Sequence, residues 1–190
     1  MYTLDAGHLP RREAAIQRRL FPIDLFGGRK SGRVQIMELV LQLLKLASAA
    51  SLGLLIGALL AEGAIFVPYW RTLPPPVFFA LRKEWGPRLY RFFAPLTIAA
   101  SFAAIGAAVA CWFVERPYSW PTLVCGMLAA ALVLIYAAYF KSANARLASA
   151  QLNGVELAAE LRRWTQWHWA RVAIGMLAFA ASLLGLQAPR

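Results

Sequence analysis

Apolar residues in this sequence are gathered into four blocks, each long enough to cross a lipid bilayer. A helix rises about 1.5 Å per residue, so about 20 residues cross the ~30 Å hydrocarbon core. The chain is 60% hydrophobic and 15% charged, whereas an average soluble domain is about 45–50% apolar and about 25% charged. The sequence therefore predicts an all-α fold, an integral membrane four-helix bundle. The predicted spans are residues 36–66, 92–114, 120–140 and 169–186.

The chain divides into a leader and a bundle. Residues 1–34 are polar and basic, and they lack the short apolar core and cleavage site of a secretory signal. We expect Glu13–Phe21 to form a short amphipathic helix on the membrane surface. The bundle is predicted to occupy residues 35–187. In its first helix, Gly53 and Gly57 have the spacing that permits close helix approach.

Local signals predict where the helices stop. Pro68 and the Pro74–Pro76 run are predicted to end the first helix, because proline lacks an N–H and clashes with the preceding turn. Val77–Arg91 combines aromatic and basic residues, which predicts an interfacial segment. In the polar connection between the third and fourth spans, Asn153 and Gly154 predict a break in the helix.

The net charge of +11 is explained by contacts with lipid head groups rather than by binding to nucleic acid. Most basic residues lie between the apolar blocks, where they meet lipid phosphates. The lipid bilayer is therefore the expected partner, and no nucleic-acid partner is expected. Basic residues number nine on each predicted side of the membrane, so the positive-inside rule does not decide the orientation. The densely basic leader favours a cytoplasmic N-terminus in a bacterial inner membrane.

The sequence offers few side chains that could bind a metal ion or take part in redox chemistry. Cys111 and Cys125 lie inside apolar blocks without a CxxC spacing, which is typical of small buried hydrophobic residues. His168 is the one histidine outside the leader, so a bis-histidine haem or a three-ligand zinc site is not expected. We predict no metal and no tightly bound cofactor, and we leave quinone, pigment and lipid open as ligands.

Ionisable side chains at membrane depth are expensive, so each one is a functional candidate. Glu62 follows sixteen uncharged residues, and it is either a carboxylate that reaches the interface or a proton acceptor. His168 opens the fourth span, either as part of an aromatic belt or as a general base. On a helix, Trp164, His168 and Arg171 share one face.

Two further residues complete the candidate site. Asn144 follows the third span, and Trp85 lies in the interfacial segment. With four spans, all six candidates lie at the same membrane face, which permits a pocket between the helix ends. The candidates are Glu62, Trp85, Asn144, Trp164, His168 and Arg171.

Two blocks of sequence carry a family resemblance. Tyr139–Leu147 (YFKSANARL) and Leu161–Arg171 (LRRWTQWHWAR) resemble the anthrone-oxygenase-like family of small four-helix membrane proteins, many described as a domain of unknown function. The resemblance covers roughly residues 45–187. Family members often carry a proline just before the asparagine, whereas this chain has Ser142 and Ala143, which changes the local turn.

The resemblance implies a cofactor-independent oxygenase acting on a flat phenolic substrate. Either Glu62 or His168 would be the catalytic base that removes a proton from a carbon acid. Arg171 and Asn144 would stabilise the oxyanion. The tryptophans, Trp85 and Trp164, would stack on the rings of the substrate.

A rival interpretation belongs to a different functional class. The small size, the basic leader and the spans rich in alanine and glycine also suit a non-catalytic accessory subunit of a larger membrane complex, or a homo-oligomer. In that case the tryptophans would contact lipid, quinone or pigment. Glu62 and His168 would then be structural.

Overall fold

A computed structural model describes residues 32–114 and 120–187. Residues 1–31 of the leader, with the amphipathic helix predicted in them, lie outside the described residues, so that helix is still a prediction. Residues 32–34 form the start of the first helix.

The described part of the chain is an all-α bundle of four helices without a β-strand, which confirms the predicted fold class. Each helix is long and apolar enough to cross a membrane. All four extend beyond the predicted spans, because the polar segments next to the bilayer continue the same helices. We number them in chain order as α1 (Gly32–Trp70), α2 (Pro75–Val114), α3 (Trp120–Ala148) and α4 (Gly154–Gln187).

The helix ends follow the local sequence with one exception. The prediction that Pro68 helps to end the first helix is wrong, because α1 continues through it to Trp70; Pro68 lies at the start of an α-helical turn, where proline is tolerated. Val77–Arg91 is not a separate segment, because α2 begins at Pro75 and continues through it. Before α4, the side chain of Asn153 accepts hydrogen bonds from the backbone N–H groups of Val155 and Glu156, both at 3.0 Å. The Glu156 carboxylate in turn accepts one from the backbone N–H of Asn153 at 2.9 Å. This reciprocal capping box explains why the connection ends where it does.

Small residues bring α3 close to its neighbours. Gly126 of α3 faces Ala108 of α2 so closely that a Cβ added at Gly126 would collide with the Ala108 Cβ. At the other contact of α3, a Cβ added at Gly185 of α4 would lie 2.6 Å from the hydroxyl oxygen of Thr122. In a membrane, such close backbone approach strengthens dispersion contacts between helices.

The close contact between α1 and α4 is made differently from the prediction. Gly57 has no atom within 4 Å of an added Cβ, and Gly53 meets only the ring of Phe179. The expected close approach through this glycine pair is therefore wrong for Gly57. A glycine on α4 makes the contact instead, because the side chain of Ile56 lies directly against Gly175.

The interior has two parts of different chemistry. The first, which we call the small-residue core, is built from aliphatic and small side chains along the membrane-crossing parts of the helices, and it includes Cys125. Cys111 and Cys125 are both buried. The second, the aromatic core, lies where α1 ends and α4 begins. Its larger buried members are Trp70, Phe78, Tyr139, Phe140 and Trp164.

Replacing Gly126 with alanine tests the contact between α2 and α3. The added methyl group meets Ala108 and, at 3.3 Å, the backbone oxygen of Ala104, so neither neighbour can rotate away. We expect Gly126→Ala to lower the free energy of unfolding in bicelles by about 1–3 kcal/mol. Gly106→Ala is the control, because its Cβ meets only Leu44 at 3.8 Å. Equal stabilities for the two variants would contradict this packing.

Candidate functional site

Two helices widen into π-helical turns beside the same stretch of α4. Within α1 the turn covers Glu62–Phe66, and within α3 it covers Tyr136–Phe140. A π-helical turn is less favourable than an α-helical one and often marks a functional site. The turn in α1 buries Glu62 and Gly63, and the turn in α3 buries Tyr139 and Phe140.

His168 of α4 is fully buried between a carbonyl and a guanidinium group. Its Nε2 lies 2.9 Å from the backbone oxygen of Leu59, and its Nδ1 lies 3.1 Å from Nη2 of Arg171. A carbonyl oxygen only accepts and a guanidinium only donates, so Nε2 carries the proton and Nδ1 holds the lone pair. The imidazole is therefore neutral, and both ring nitrogens are occupied.

Gly63 makes room for this histidine. A Cβ added at Gly63 would lie 2.9 Å from Nε2 of His168 and 3.3 Å from the ring of Trp169. A side chain at Gly63 would therefore push the imidazole away from the Leu59 carbonyl. The π-helical turn and its glycine together allow the imidazole of His168 to approach the backbone of α1.

Glu62 is buried next to two cationic side chains. Its Oε2 lies 3.5 Å from Nη2 of Arg171, and the guanidinium of Arg82 also acts on it electrostatically. The distance from Oε2 to Nδ1 of His168 is 3.8 Å, which is too long for a hydrogen bond. Arg171 therefore joins the carboxylate to the imidazole.

Asn144 connects three helices. Its Oδ1 accepts a hydrogen bond from Nη2 of Arg82 on α2 at 3.0 Å and from Nε1 of Trp164 on α4 at 3.1 Å. Because Asn144 itself lies on α3, this single oxygen fixes the positions of Arg82 and Trp164 relative to each other. We call Glu62, Arg82, Asn144, His168 and Arg171 the polar cluster.

Aromatic rings enclose the polar cluster. Trp164 stacks on the imidazole of His168 at 4.9 Å with the planes 13° apart. Phe140 and Trp70 pack against Trp164 at centroid distances of 5.5 and 5.9 Å. Phe140 also lies 4.3 Å below the guanidinium carbon of Arg171, a cation–π contact. The charges are thereby held in an environment of low polarity, where electrostatic interactions are strong.

A groove of about 320 Å³ opens beside the cluster, between the end of α1 and the start of α2. Its wall is almost entirely apolar, and Arg82 is the one charged residue among those that line it. The guanidinium of Arg82 also lies over the ring of Trp70 at 5.6 Å. Arg82 therefore belongs both to the groove and to the polar cluster. The lining residues are Ile65, Phe66, Tyr69, Trp70, Phe78, Leu81, Arg82, Trp85, Gly86 and Leu89.

The six candidates from the sequence are divided between these two sites. Five lie in or against the polar cluster, and Trp85 lies in the groove wall, where Arg88 stacks on it at 4.8 Å. The candidates at the cluster are Glu62, Asn144, Trp164, His168 and Arg171.

Sequence reasoning missed Arg82, which lies within the segment Val77–Arg91 that was predicted to be interfacial. One signal was available. Phe78, Arg82, Trp85 and Leu89 follow the helical spacing of a single face, and all four line the groove. An arginine on an otherwise apolar and aromatic face of a membrane helix points to a protein or ligand contact.

The fold and the site define the class of this protein. It is an integral membrane four-helix protein with a buried polar cluster next to an apolar groove. The chain matches no protein-family model, no curated protein and no solved structure among those compared. The resemblance to the anthrone-oxygenase-like family therefore stays a prediction. Within the described residues, no group of three or more His, Cys, Asp or Glu side chains could hold a metal ion.

Glu62→Gln tests whether the buried carboxylate balances the guanidinium groups. Removing one partner of a buried ion pair leaves the other charge uncompensated, so we expect the free energy of unfolding in bicelles to fall by about 3 kcal/mol. Glu84→Gln is the matched control, because the Glu84–Arg88 pair is exposed and is expected to contribute less than about 0.5 kcal/mol. An unchanged stability for Glu62→Gln would mean that the Glu62 side chain is uncharged in the folded protein.

Proposed function

We propose that this membrane protein binds a flat, largely apolar small molecule in the groove between α1 and α2. The observation that carries the proposal is the groove itself, an apolar cleft with a single guanidinium in its wall. Ligand sites are typically apolar clefts of about 300–1,000 Å³ with a few polar groups that orient the ligand. The volume of about 320 Å³ suits a molecule of two or three fused rings.

The walls of the groove favour aromatic ligands. Phe66, Tyr69, Trp70 and Trp85 come from two helices and line the cleft. Aromatic side chains contact flat rings by stacking or by edge-to-face packing, and such contacts add about 0.5–1.5 kcal/mol to simple burial. Tyr69 and Trp85 are also about half exposed, so a ligand has access to the groove from the lipid interface.

Oxygenation of the bound molecule is the finer proposal, and it comes from the family resemblance. The balanced reaction converts a ring CH₂ group and O₂ into a ketone and water. Proton removal from the CH₂ carbon needs a base, and the lone pair of His168 is already occupied by Arg171. Glu62 is therefore the better of the two predicted bases, while Arg82 is the cation nearest the ligand.

In the rival interpretation, the protein is an accessory membrane subunit that uses the same groove but catalyses no reaction. It requires that lipid, quinone or pigment be bound and left unchanged. Turnover therefore separates the two interpretations. The cytoplasmic N-terminus and the bacterial inner membrane stay proposals that rest on the basic leader.

Filling the groove tests ligand binding. Gly86 lines the groove, and a Cβ there meets only Cδ of Arg82 at 4.0 Å, so Gly86→Phe should occupy the cleft without displacing its neighbours. We expect this variant to lose at least about tenfold in affinity for 1,4-naphthoquinone, measured by quenching of tryptophan fluorescence in nanodiscs. Gly57→Phe is the control, since Gly57 is exposed with open space around it. Equal quenching in both variants would contradict binding in the groove.

Oxygenase activity is tested with ¹⁸O₂ and anthrone, using empty nanodiscs to measure spontaneous oxidation. We expect the wild-type protein to form a ketone that carries ¹⁸O faster than the empty nanodiscs do. Loss of the catalytic base in Glu62→Gln should lower the rate of the folded protein by about 10²–10⁴-fold. A wild-type rate equal to the background would remove the oxygenase proposal and favour the accessory-subunit interpretation.

A further inference from the structure

The polar cluster contains more positive than negative charge. Arg82 and Arg171 each carry one positive charge, and Glu62 is the acidic residue that acts on both. His168 adds no charge, because its hydrogen bonds fix the neutral imidazole. The cluster therefore has a net charge of at least +1 beside a lipid bilayer. A charge in such surroundings is costly unless it is paired.

The polar cluster also contains an unsatisfied donor. Within the described residues, Nε of Arg171 is a buried nitrogen without a hydrogen-bond partner. Arg82 donates from Nη2 to Asn144, whose Oδ1 is a neutral acceptor already shared with Trp164. A guanidinium has five N–H donors, so this bond to Asn144 uses one of the five of Arg82.

Arg82 places one positive charge of the polar cluster in the wall of the groove. This residue lines the groove beside Trp70, Trp85 and Gly86, and it contacts the cluster through Asn144. An oxyanion in the groove would receive a charge-assisted hydrogen bond from the guanidinium, which is about twice as strong as a neutral one. The remaining wall is apolar and would surround the uncharged body of the molecule.

We infer that the groove selects ligands that carry one ionised oxygen on a flat apolar body, and that this anion is the counter-ion of the polar cluster. The inference rests on the proposed function, because it assigns the chemical class of the ligand in the same groove. A neutral quinone or hydrocarbon of equal shape would fill the cleft and leave the excess positive charge of the polar cluster uncompensated. Affinity should therefore follow the charge of the ligand as well as its shape.

Anthracene-2-carboxylate and its neutral amide, anthracene-2-carboxamide, test this selectivity, because they are nearly identical in shape. Binding is measured by anthracene fluorescence in phosphatidylcholine nanodiscs, and partition into empty nanodiscs is subtracted. We expect the wild-type protein to bind the carboxylate about tenfold more tightly than the amide. Gly86→Phe should abolish the specific binding of both, since it fills the groove.

Asn144→Asp is the decisive variant. It keeps the size of the side chain and its hydrogen bonds from Arg82 and Trp164, and it adds one negative charge to the cluster. We expect the preference for the carboxylate to disappear while the affinity for the amide stays within about twofold. Arg82→Gln should also remove the preference and gives a second test if Asn144→Asp does not fold. Arg162→Gln is the matched control, because Arg162 is exposed on α4, and it should keep the wild-type preference.

The outcomes separate the inference from the function on which it rests. Equal affinities for the carboxylate and the amide, both lost in Gly86→Phe, would overturn the inference and leave the proposed function intact. Failure of the wild-type protein to bind either compound would overturn the proposed function as well. A preference that persists in Asn144→Asp and Arg82→Gln would show that the polar cluster is not its source, and would overturn the inference.

A lipid phosphate could supply the same negative charge, so the measurement is repeated with phosphatidylglycerol in place of phosphatidylcholine. Unchanged affinity for the carboxylate supports a flat aromatic anion as the occupant. A lower affinity for the carboxylate in phosphatidylglycerol than in phosphatidylcholine would show that the lipid competes for the site. That result would assign the site to a lipid head group and overturn the inference.

Discussion

The hydrogen bond from His168 to the backbone carbonyl of Leu59 is the contact on which the rest of the site depends. It places a neutral imidazole in the interior between α1 and α4. Because that bond occupies Nε2, the other nitrogen accepts from Arg171, which in turn faces Glu62. The approach needs a glycine at position 63, and it coincides with the π-helical turn that brings Glu62 inward. One buried ring thus determines the geometry of both charged neighbours.

One side chain connects the groove to the polar cluster and gives the groove its charge. Arg82 has a guanidinium that is shared between Asn144 and the aromatic wall of the groove. Since the surroundings are aromatic and apolar, the field of the cluster is weakly screened there. The same arrangement explains why a mostly apolar cleft is suited to a ligand with one polar or charged oxygen. Asn144 also links α2, which forms one wall of the groove, to α3 and α4, because it accepts hydrogen bonds from Arg82 and Trp164.

Much of the fold and part of the site were predictable from local sequence. Four apolar blocks predicted four helices, because each block must satisfy its backbone hydrogen bonds internally within the bilayer. The cost of an ionisable group at membrane depth marks Glu62 and His168 as candidates from the sequence alone. The helical spacing correctly placed Trp164, His168 and Arg171 on one side of α4, where Trp164 and Arg171 both contact His168. The role of Gly57 was not predictable, because spacing alone does not show which helix faces it.

The sequence by itself determined the class of fold, the number of membrane-crossing helices and most of the residues of the polar cluster. These depend on hydropathy, helical period and the cost of burying charge, which are all local properties. The tertiary structure decided which of those residues touch, which nitrogen of His168 holds the proton, and that Arg82 joins the cluster to a groove. It also introduced the two π-helical turns, whose extra residue changes the facing of every side chain that follows. Such features depend on packing between distant segments, and no periodic pattern in the chain encodes them.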